Sequence, residues 1–108
     1  MQLGLEGKVA IVTGGSKGIG QATALGLLNE GASVLVCARG KEALEQTVKQ
    51  AGPKGEGRIV GMQADLTKGE AIQAVVARCL ETFGRVDILV NNAGSARHGE
   101  FLKLPDEA

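Results

Sequence analysis

The sequence predicts an α/β fold in which helices cover both faces of one parallel sheet, an arrangement called doubly wound. Short apolar runs alternate with amphipathic segments from residue 8 onward, a glycine-rich turn follows the first apolar run, and the connections are short. Apolar runs of this kind suit strands that are buried on both faces, as the strands of parallel sheets are. We expect the strand order third, second, first, fourth.

The first strand is predicted over residues 8–13, and it leads directly into a turn that contains Gly14, Gly18 and Gly20. A helix is expected over residues 18–29, so these glycines lie where a strand meets a helix N-terminus. The unpaired N–H groups and the positive dipole end of such a terminus favour an anion, which predicts a phosphate site. A tight structural connection is the alternative interpretation of the same turn.

The alternation then repeats. Gly31 is placed to end the first helix, because glycine readily adopts the left-handed conformation of a C-cap. A second buried strand is predicted over residues 33–38 and a second helix over residues 41–51. The glycine-rich residues 52–57 predict a solvated connection, and residues 58–64 a third strand.

The next pattern along the chain is a helix with a broad apolar face. Thr67 and Glu70 have the spacing of a capping box that opens this helix, and Gly84 is placed to end it. The apolar face consists of Ile72, Val75, Val76, Cys79, Leu80 and Phe83. A fourth strand is predicted over residues 86–90. A surface loop and a further helix start at Pro105 follow it.

Composition excludes several classes of partner. The 12 basic residues balance the 12 acidic ones, and two phenylalanines are the only aromatic residues, which argues against nucleic acid and anionic lipid. No apolar run has the length of a membrane span, so we expect a soluble, cytoplasmic protein without a membrane partner. Cys37 and Cys79 are expected to be buried free thiols. His98 has no partner at metal-ligand spacing, so no metal site is predicted.

Two motifs carry a resemblance to a known family. Thr13 to Gly20 reads T-G-x-x-x-G-x-G, and Asn91 to Gly94 reads N-N-A-G after the fourth strand. Together with Asp65 after the third strand, these motifs resemble the N-terminal half of the short-chain dehydrogenase/reductase family. The resemblance implies a partial Rossmann-type sheet, a nicotinamide dinucleotide, and hydride transfer between nicotinamide and a carbonyl or alcohol carbon.

The resemblance also implies which residues would bind the dinucleotide. The glycine turn would line the pyrophosphate, Ile19 would pack near the nicotinamide, and Asp65 with Leu66 would hold the adenine. Asn91 and the residues after it would border the ribose on the nicotinamide side, although a structural role for Asn91 is an open alternative. The complete predicted set is Gly14, Ser16, Lys17, Gly18, Ile19, Gly20, Arg39, Asp65, Leu66, Asn91, Ala93 and Gly94.

The residues after the second strand bear on the choice of cofactor. NAD sites of this architecture place an acid there to accept a hydrogen bond from the ribose 2′-OH, whereas this chain has Ala38 and then Arg39. Arginine can bind a 2′-phosphate through two hydrogen bonds, and Lys17 supplies a second cation. The sequence therefore predicts NADP(H) rather than NAD(H). The alternative is that both residues are ordinary surface cations.

The catalytic residues that the resemblance implies are a serine, a tyrosine and a lysine, all beyond the N-N-A-G strand. The chain contains no tyrosine, and Ser95 does not replace the missing serine. We therefore expect residues 1–108 to be the NADP(H)-binding N-terminal part of a single Rossmann domain, truncated before its catalytic half and without activity of its own. The fourth strand, guarded by Asp87 alone, would then form an open edge that favours self-association. The alternatives are a non-catalytic NADP(H)-binding module and a structural remnant.

Overall fold

The computed structural model describes residues 4–14 and 18–91 and contains one four-stranded parallel sheet in the order β3-β2-β1-β4. The strands are β1 (Val9–Thr13), β2 (Ser33–Ala38), β3 (Ile59–Gln63) and β4 (Ile88–Asn91). The helices are α1 (Gly18–Asn29), α2 (Lys41–Ala51) and α3 (Gly69–Phe83). The predicted fold class and strand order are confirmed.

Helices cover both faces of the sheet, which explains why the strands are apolar along their length. The cluster on the side of α1 and α2 consists of Val12, Ala24, Leu28, Val34, Val36, Leu44 and Ile59. The cluster under α3 consists of Val9, Ile11, Leu35, Cys37, Val75 and Cys79. Because successive strand residues point to opposite faces, β1 and β2 contribute alternate side chains to the two clusters.

Glycine and arginine determine how the helices end. Gly31 after α1 and Gly84 after α3 have φ values of 104° and 85°, a region that glycine enters without steric cost. The Nη2 group of Arg58 donates to the carbonyls of Leu28 and Ala32, both at 2.8 Å. A cation is thereby placed at the negative end of the α1 dipole.

The predicted capping box is wrong. The N-cap of α3 is Lys68, and no side chain caps the helix. Thr67 instead donates its hydroxyl and its N–H to Oδ1 of Asp65, at 2.6 and 3.1 Å. An aspartate carboxylate readily accepts a hydrogen bond from the backbone two residues ahead. Thr67 is engaged in this local turn with Asp65 and therefore does not cap α3.

The glycine-rich connection before β3 is exposed at Gly52, Pro53, Glu56 and Gly57, as predicted for a solvated connection, and it differs from that prediction at Gly55. Residues Gly52–Gly55 form one turn of 3₁₀ helix, and Gly55 is buried. A Cβ atom at Gly55 would lie 2.6 Å from Cβ of Ala51 and 2.8 Å from Cγ2 of Ile59. Gly55 therefore packs directly on the core, and the lack of a side chain is required at this position. On α3, by contrast, the predicted core residue Leu80 is 37% exposed.

Strand β4 begins two residues later than predicted, and Asp87, directly before it, contacts β1 and Arg85. Its Oδ2 accepts hydrogen bonds from the Val9 N–H at 2.9 Å and from Nε of Arg85 at 2.8 Å. Its own N–H donates to the Val9 carbonyl at 2.8 Å. Asp87 therefore joins the beginnings of β1 and β4, and does not act as a free charge guarding the sheet edge.

Replacing Asp87 with alanine is expected to destabilise the fold by about 1 kcal/mol at neutral pH, since the Val9 N–H loses its side-chain acceptor. Hydrogen bonding from Arg85 lowers the pKa of Asp87 below its ordinary value of 3.8. The ionised carboxylate thus stabilises the fold at pH values above 3.8, and its contribution declines as the pH falls through the lowered pKa of the folded state. Urea unfolding at pH 7 and pH 3 should show a smaller cost of Asp87→Ala at pH 3 than at pH 7. Glu81→Ala, at an exposed carboxylate, should show no such difference.

Candidate functional site

The candidate site lies at the carboxyl ends of β1 and its neighbours. The N–H of Gly14 donates to the Cys37 carbonyl at 2.8 Å, so the bonding of this segment to β2 continues one residue beyond β1. Gly14 and Gly18 have φ values of 64° and 53°, which a residue with a side chain rarely adopts. Two of the predicted site residues, Ser16 and Lys17, lie outside the described residues.

The N-terminus of α1 fits a phosphate. Its first turn contains no acidic residue, so no negative side chain opposes an anion at the positive end of the dipole. A Cβ atom at Gly18 would meet no atom of residues 4–14 or 18–91 within 4 Å, so the described part of the chain leaves space around this residue. Gly20, by contrast, is buried.

Ile19 lies between these two glycines and is 79% exposed. This exposure leaves an apolar surface next to Gly18. A flat ring placed there would bury that surface.

Arg39 extends from the end of the neighbouring strand. The N–H of Ala64 donates to the Ala38 carbonyl at 2.8 Å, which is the last rung between β2 and β3. Arg39 follows Ala38 and is exposed. Among the described residues, no hydrogen bond or ion pair holds its guanidinium group. The group is thus available to an anion at this edge.

Asp65 lies at the same edge, after β3. The pKa of Asp65 is lowered, first by the hydroxyl and then by the backbone N–H of Thr67, and further by the positive charges of Arg39 and Lys68. Both Thr67 bonds go to Oδ1, which leaves Oδ2 for another donor. The structure therefore places an ionised carboxylate close to Arg39.

Leu66 points away from this edge. Its side chain packs in the cluster under α3, where it lines a small apolar cavity with Thr13, Val75 and Leu89. A contact between this side chain and an adenine ring would require it to leave the cluster. Only the backbone of Leu66 is suited to a ligand at the carboxyl edge.

Asn91 is held by β1. The hydroxyl of Thr13 donates to Oδ1 of Asn91 at 2.9 Å and lies 3.4 Å from the Val90 carbonyl. Thr13 is 1% exposed, so this contact joins the ends of β1 and β4 from within the sheet. This contact supports the alternative interpretation, in which Asn91 has a structural role. Ala93 and Gly94 lie outside the described residues.

The cysteines offer no nucleophile. Cys37 and Cys79 are buried free thiols, as predicted. Burial raises the pKa of Cys37 to about 12 and that of Cys79 to about 11, with the negative charge of Asp87 adding to the shift at Cys79. Within residues 4–14 and 18–91, no His, Cys, Asp or Glu side chains form a group that could hold a metal ion. In the same part of the chain, no helix has the length and apolar character needed to cross a bilayer.

Gln63 lies outside both motifs, and the contact that Thr13 makes was not predicted. Gln63 donates through Nε2 to the Arg39 carbonyl at 2.8 Å, and the hydroxyl of Thr13, the first residue of the glycine motif, contacts Asn91. The signal that could have indicated Gln63 is its register with Ala38, which brings its side chain next to the residue that follows Ala38.

The family model described as short chain dehydrogenase matches residues 8–108. The chain belongs to the short-chain dehydrogenase/reductase family. Among relatives, it is 41% identical over 103 residues to the oxidoreductase UcpA of Salmonella typhimurium, which covers 95% of this chain and 38% of the relative. It is 43% identical over 105 residues to a putative ketoacyl reductase of Streptomyces coelicolor, which covers 94% of this chain and 39% of that protein.

Solved structures of short-chain dehydrogenases share the fold. The apo form of glucose dehydrogenase of Caenorhabditis elegans superposes with a TM-score of 0.80 at 41% identity, covering 87% of this chain and 40% of that chain. L-sorbose reductase from Gluconobacter frateurii, complexed with NADPH and L-sorbose, superposes with a TM-score of 0.80 at 37% identity, covering 99% of this chain and 41% of that chain. The chain therefore spans about two-fifths of the length of these short-chain dehydrogenases.

Proposed function

We propose that the chain binds NADP(H) in preference to NAD(H) at the carboxyl edge of the sheet. The observation that carries this proposal is the exposed Arg39 guanidinium at the end of β2, at a position where NAD sites of this architecture have an acid. An ionised acid there would repel a 2′-phosphate, whereas a guanidinium group can donate two parallel hydrogen bonds to it. The NADPH in the L-sorbose reductase structure supports the same choice.

The pyrophosphate would lie at the N-terminus of α1. Gly14 and Gly18 keep the backbone accessible there, and the buried Gly20 lets α1 approach the sheet. Ser16 and Lys17 belong to the same turn in the sequence, and we propose that Lys17 assists Arg39 at the 2′-phosphate.

The two ends of the dinucleotide would contact different strands. Oδ2 of Asp65 would accept a hydrogen bond from the adenine amino group, with Leu66 contributing through its backbone. The nicotinamide end would lie toward β4, near the exposed Ile19, with Asn91, Ala93 and Gly94 bordering its ribose.

The longer short-chain dehydrogenases suggest the chemistry that this binding would serve. NADPH supplies a hydride, and we propose that the chain is the cofactor-binding part of an oxidoreductase acting on carbonyl or alcohol substrates. Residues 1–108 include no tyrosine that could act as general acid, so their proposed contribution is to bind and orient the cofactor. Truncation before a catalytic half, self-association through β4 and a cytoplasmic location stay predictions.

Calorimetric titration with matched ligand pairs tests the proposal. NADPH should bind at least about tenfold more tightly than NADH, because a charge-assisted hydrogen bond contributes about 1.5–3 kcal/mol before solvent screening. Adenosine 2′,5′-bisphosphate should likewise bind more tightly than adenosine 5′-monophosphate. Because neither ligand contains a nicotinamide, this result would show that the preference arises at the 2′-phosphate. Equal affinities within both pairs, or tighter binding of the ligands without the 2′-phosphate, would refute the proposed preference.

A further inference from the structure

Where the backbone pairing of β2 and β3 ends, a side-chain hydrogen bond still connects the two segments. Gln63 is the last residue of β3 and lies in register with Ala38, the last residue of β2. One more backbone bond follows, from the Ala64 N–H to the Ala38 carbonyl. The next carbonyl, that of Arg39, accepts a hydrogen bond from Nε2 of Gln63 at 2.8 Å. The peptide after Arg39 is thus attached to β3 through the Gln63 amide.

The packing of α2 against β3 leaves this peptide between two fixed elements. A Cβ atom at Gly61 would lie 3.4 Å from side-chain atoms of both Leu44 and Val48, so α2 lies close to β3. Gly40 is the N-cap of α2, and no side chain caps the helix there. Glycine adopts a wider range of backbone conformations than any other residue, so Gly40 alone does not fix the orientation of the Arg39–Gly40 peptide. Gln63 supplies that contact.

We infer that Gln63 is a positioning residue that orients the Arg39 backbone so that the guanidinium group can meet the 2′-phosphate of NADP(H). The inference rests on the cofactor preference proposed above. A planar guanidinium group forms two parallel hydrogen bonds with a phosphate in a narrow range of orientations. Fixing the backbone from which this long side chain extends reduces the conformational freedom that binding must remove. Gln63 therefore acts on cofactor selectivity without touching the cofactor.

The test compares Gln63→Met with Gln73→Met in the full 108-residue chain. Methionine has nearly the length of glutamine but no N–H donor, and Gln73 is exposed on α3. In calorimetric titrations, Gln63→Met should lower the ratio of NADPH to NADH affinity about threefold or more, mainly by weakening NADPH binding. The ¹⁵N relaxation order parameter of the Gly40 amide should also fall. Gln73→Met should change neither quantity.

The outcomes separate this inference from the proposed function. If the parent chain prefers NADPH and Gln63→Met keeps that preference, the inference is overturned while the proposed function stands. Equal loss of NADPH and NADH affinity would show a general structural role for Gln63 and would also overturn the inference. A parent chain that binds both cofactors equally overturns the proposed function and the inference with it.

Discussion

Arg39→Asp is expected to reverse the cofactor preference, so that NADH binds more tightly than NADPH. The substitution removes the guanidinium donor from the 2′-phosphate, and it places a carboxylate where NAD sites of this architecture accept a hydrogen bond from the ribose 2′-OH. Loss of attraction and gain of repulsion act in the same direction, so the affinity ratio should change about a hundredfold or more. Calorimetric titration of both cofactors measures this ratio directly.

Arg78→Asp is the matched control for Arg39→Asp. It changes the net charge by the same amount, at an exposed position on α3. Its affinity ratio should stay close to that of the parent chain, because exposed charges separated by more than about 10 Å are largely screened at 0.1 M salt. A similar shift in both variants would attribute the preference to net charge, and the assignment of Arg39 would then be abandoned.

Leu35→Ala is expected to lower the free energy of unfolding by about 3 kcal/mol, the largest stability effect we predict. Leu35 is fully buried in β2, between β1 and β3, in the cluster under α3. Truncating a buried leucine removes its transfer free energy and leaves a cavity, at a cost of about 2–5 kcal/mol. That is a large share of the roughly 5–15 kcal/mol that stabilises a domain. Urea denaturation followed by circular dichroism gives the difference in midpoint.

Leu80→Ala removes the same atoms from a position on α3 that is 37% exposed. Leu80→Ala should lower the free energy of unfolding by much less than Leu35→Ala does, because the Leu80 side chain already contacts water and no closed cavity forms. Equal costs at the two positions would contradict the assignment of Leu35 to the core.

The two variants should also differ in the cooperativity of unfolding. A broadened transition for Leu35→Ala alone is consistent with its place between two strands that hold the sheet together.

Much of the candidate site was predictable because it follows from the ends of regular elements. Parallel strands bring their carboxyl ends to one edge, so Gly14, Arg39, Asp65 and Asn91 were expected to meet once the strand order was inferred. The side-chain contacts at that edge were not predictable in the same way. A motif places Asp65 near the edge, but it does not show that Thr67 occupies Oδ1.

The sequence by itself determined the elements and their order. The bounds of α1, β2 and α2 agree with the pattern, because apolar spacing and the glycines after the helices act over a few neighbouring residues. Gly31 and Gly84 were identifiable for the same reason. Such signals are local, and they need no information on what lies across the sheet.

Only the tertiary structure decided which distant groups satisfy one another. Asp87 and Val9 are 78 positions apart, and their hydrogen bond exists because β4 pairs with β1 in one particular register. Gln63 reaches the Arg39 carbonyl because β3 and β2 end at the same level. A shift in register by one residue would turn each of these side chains to the opposite face of the sheet. Periodicity indicates that a strand is buried, but the register comes from packing of the whole sheet.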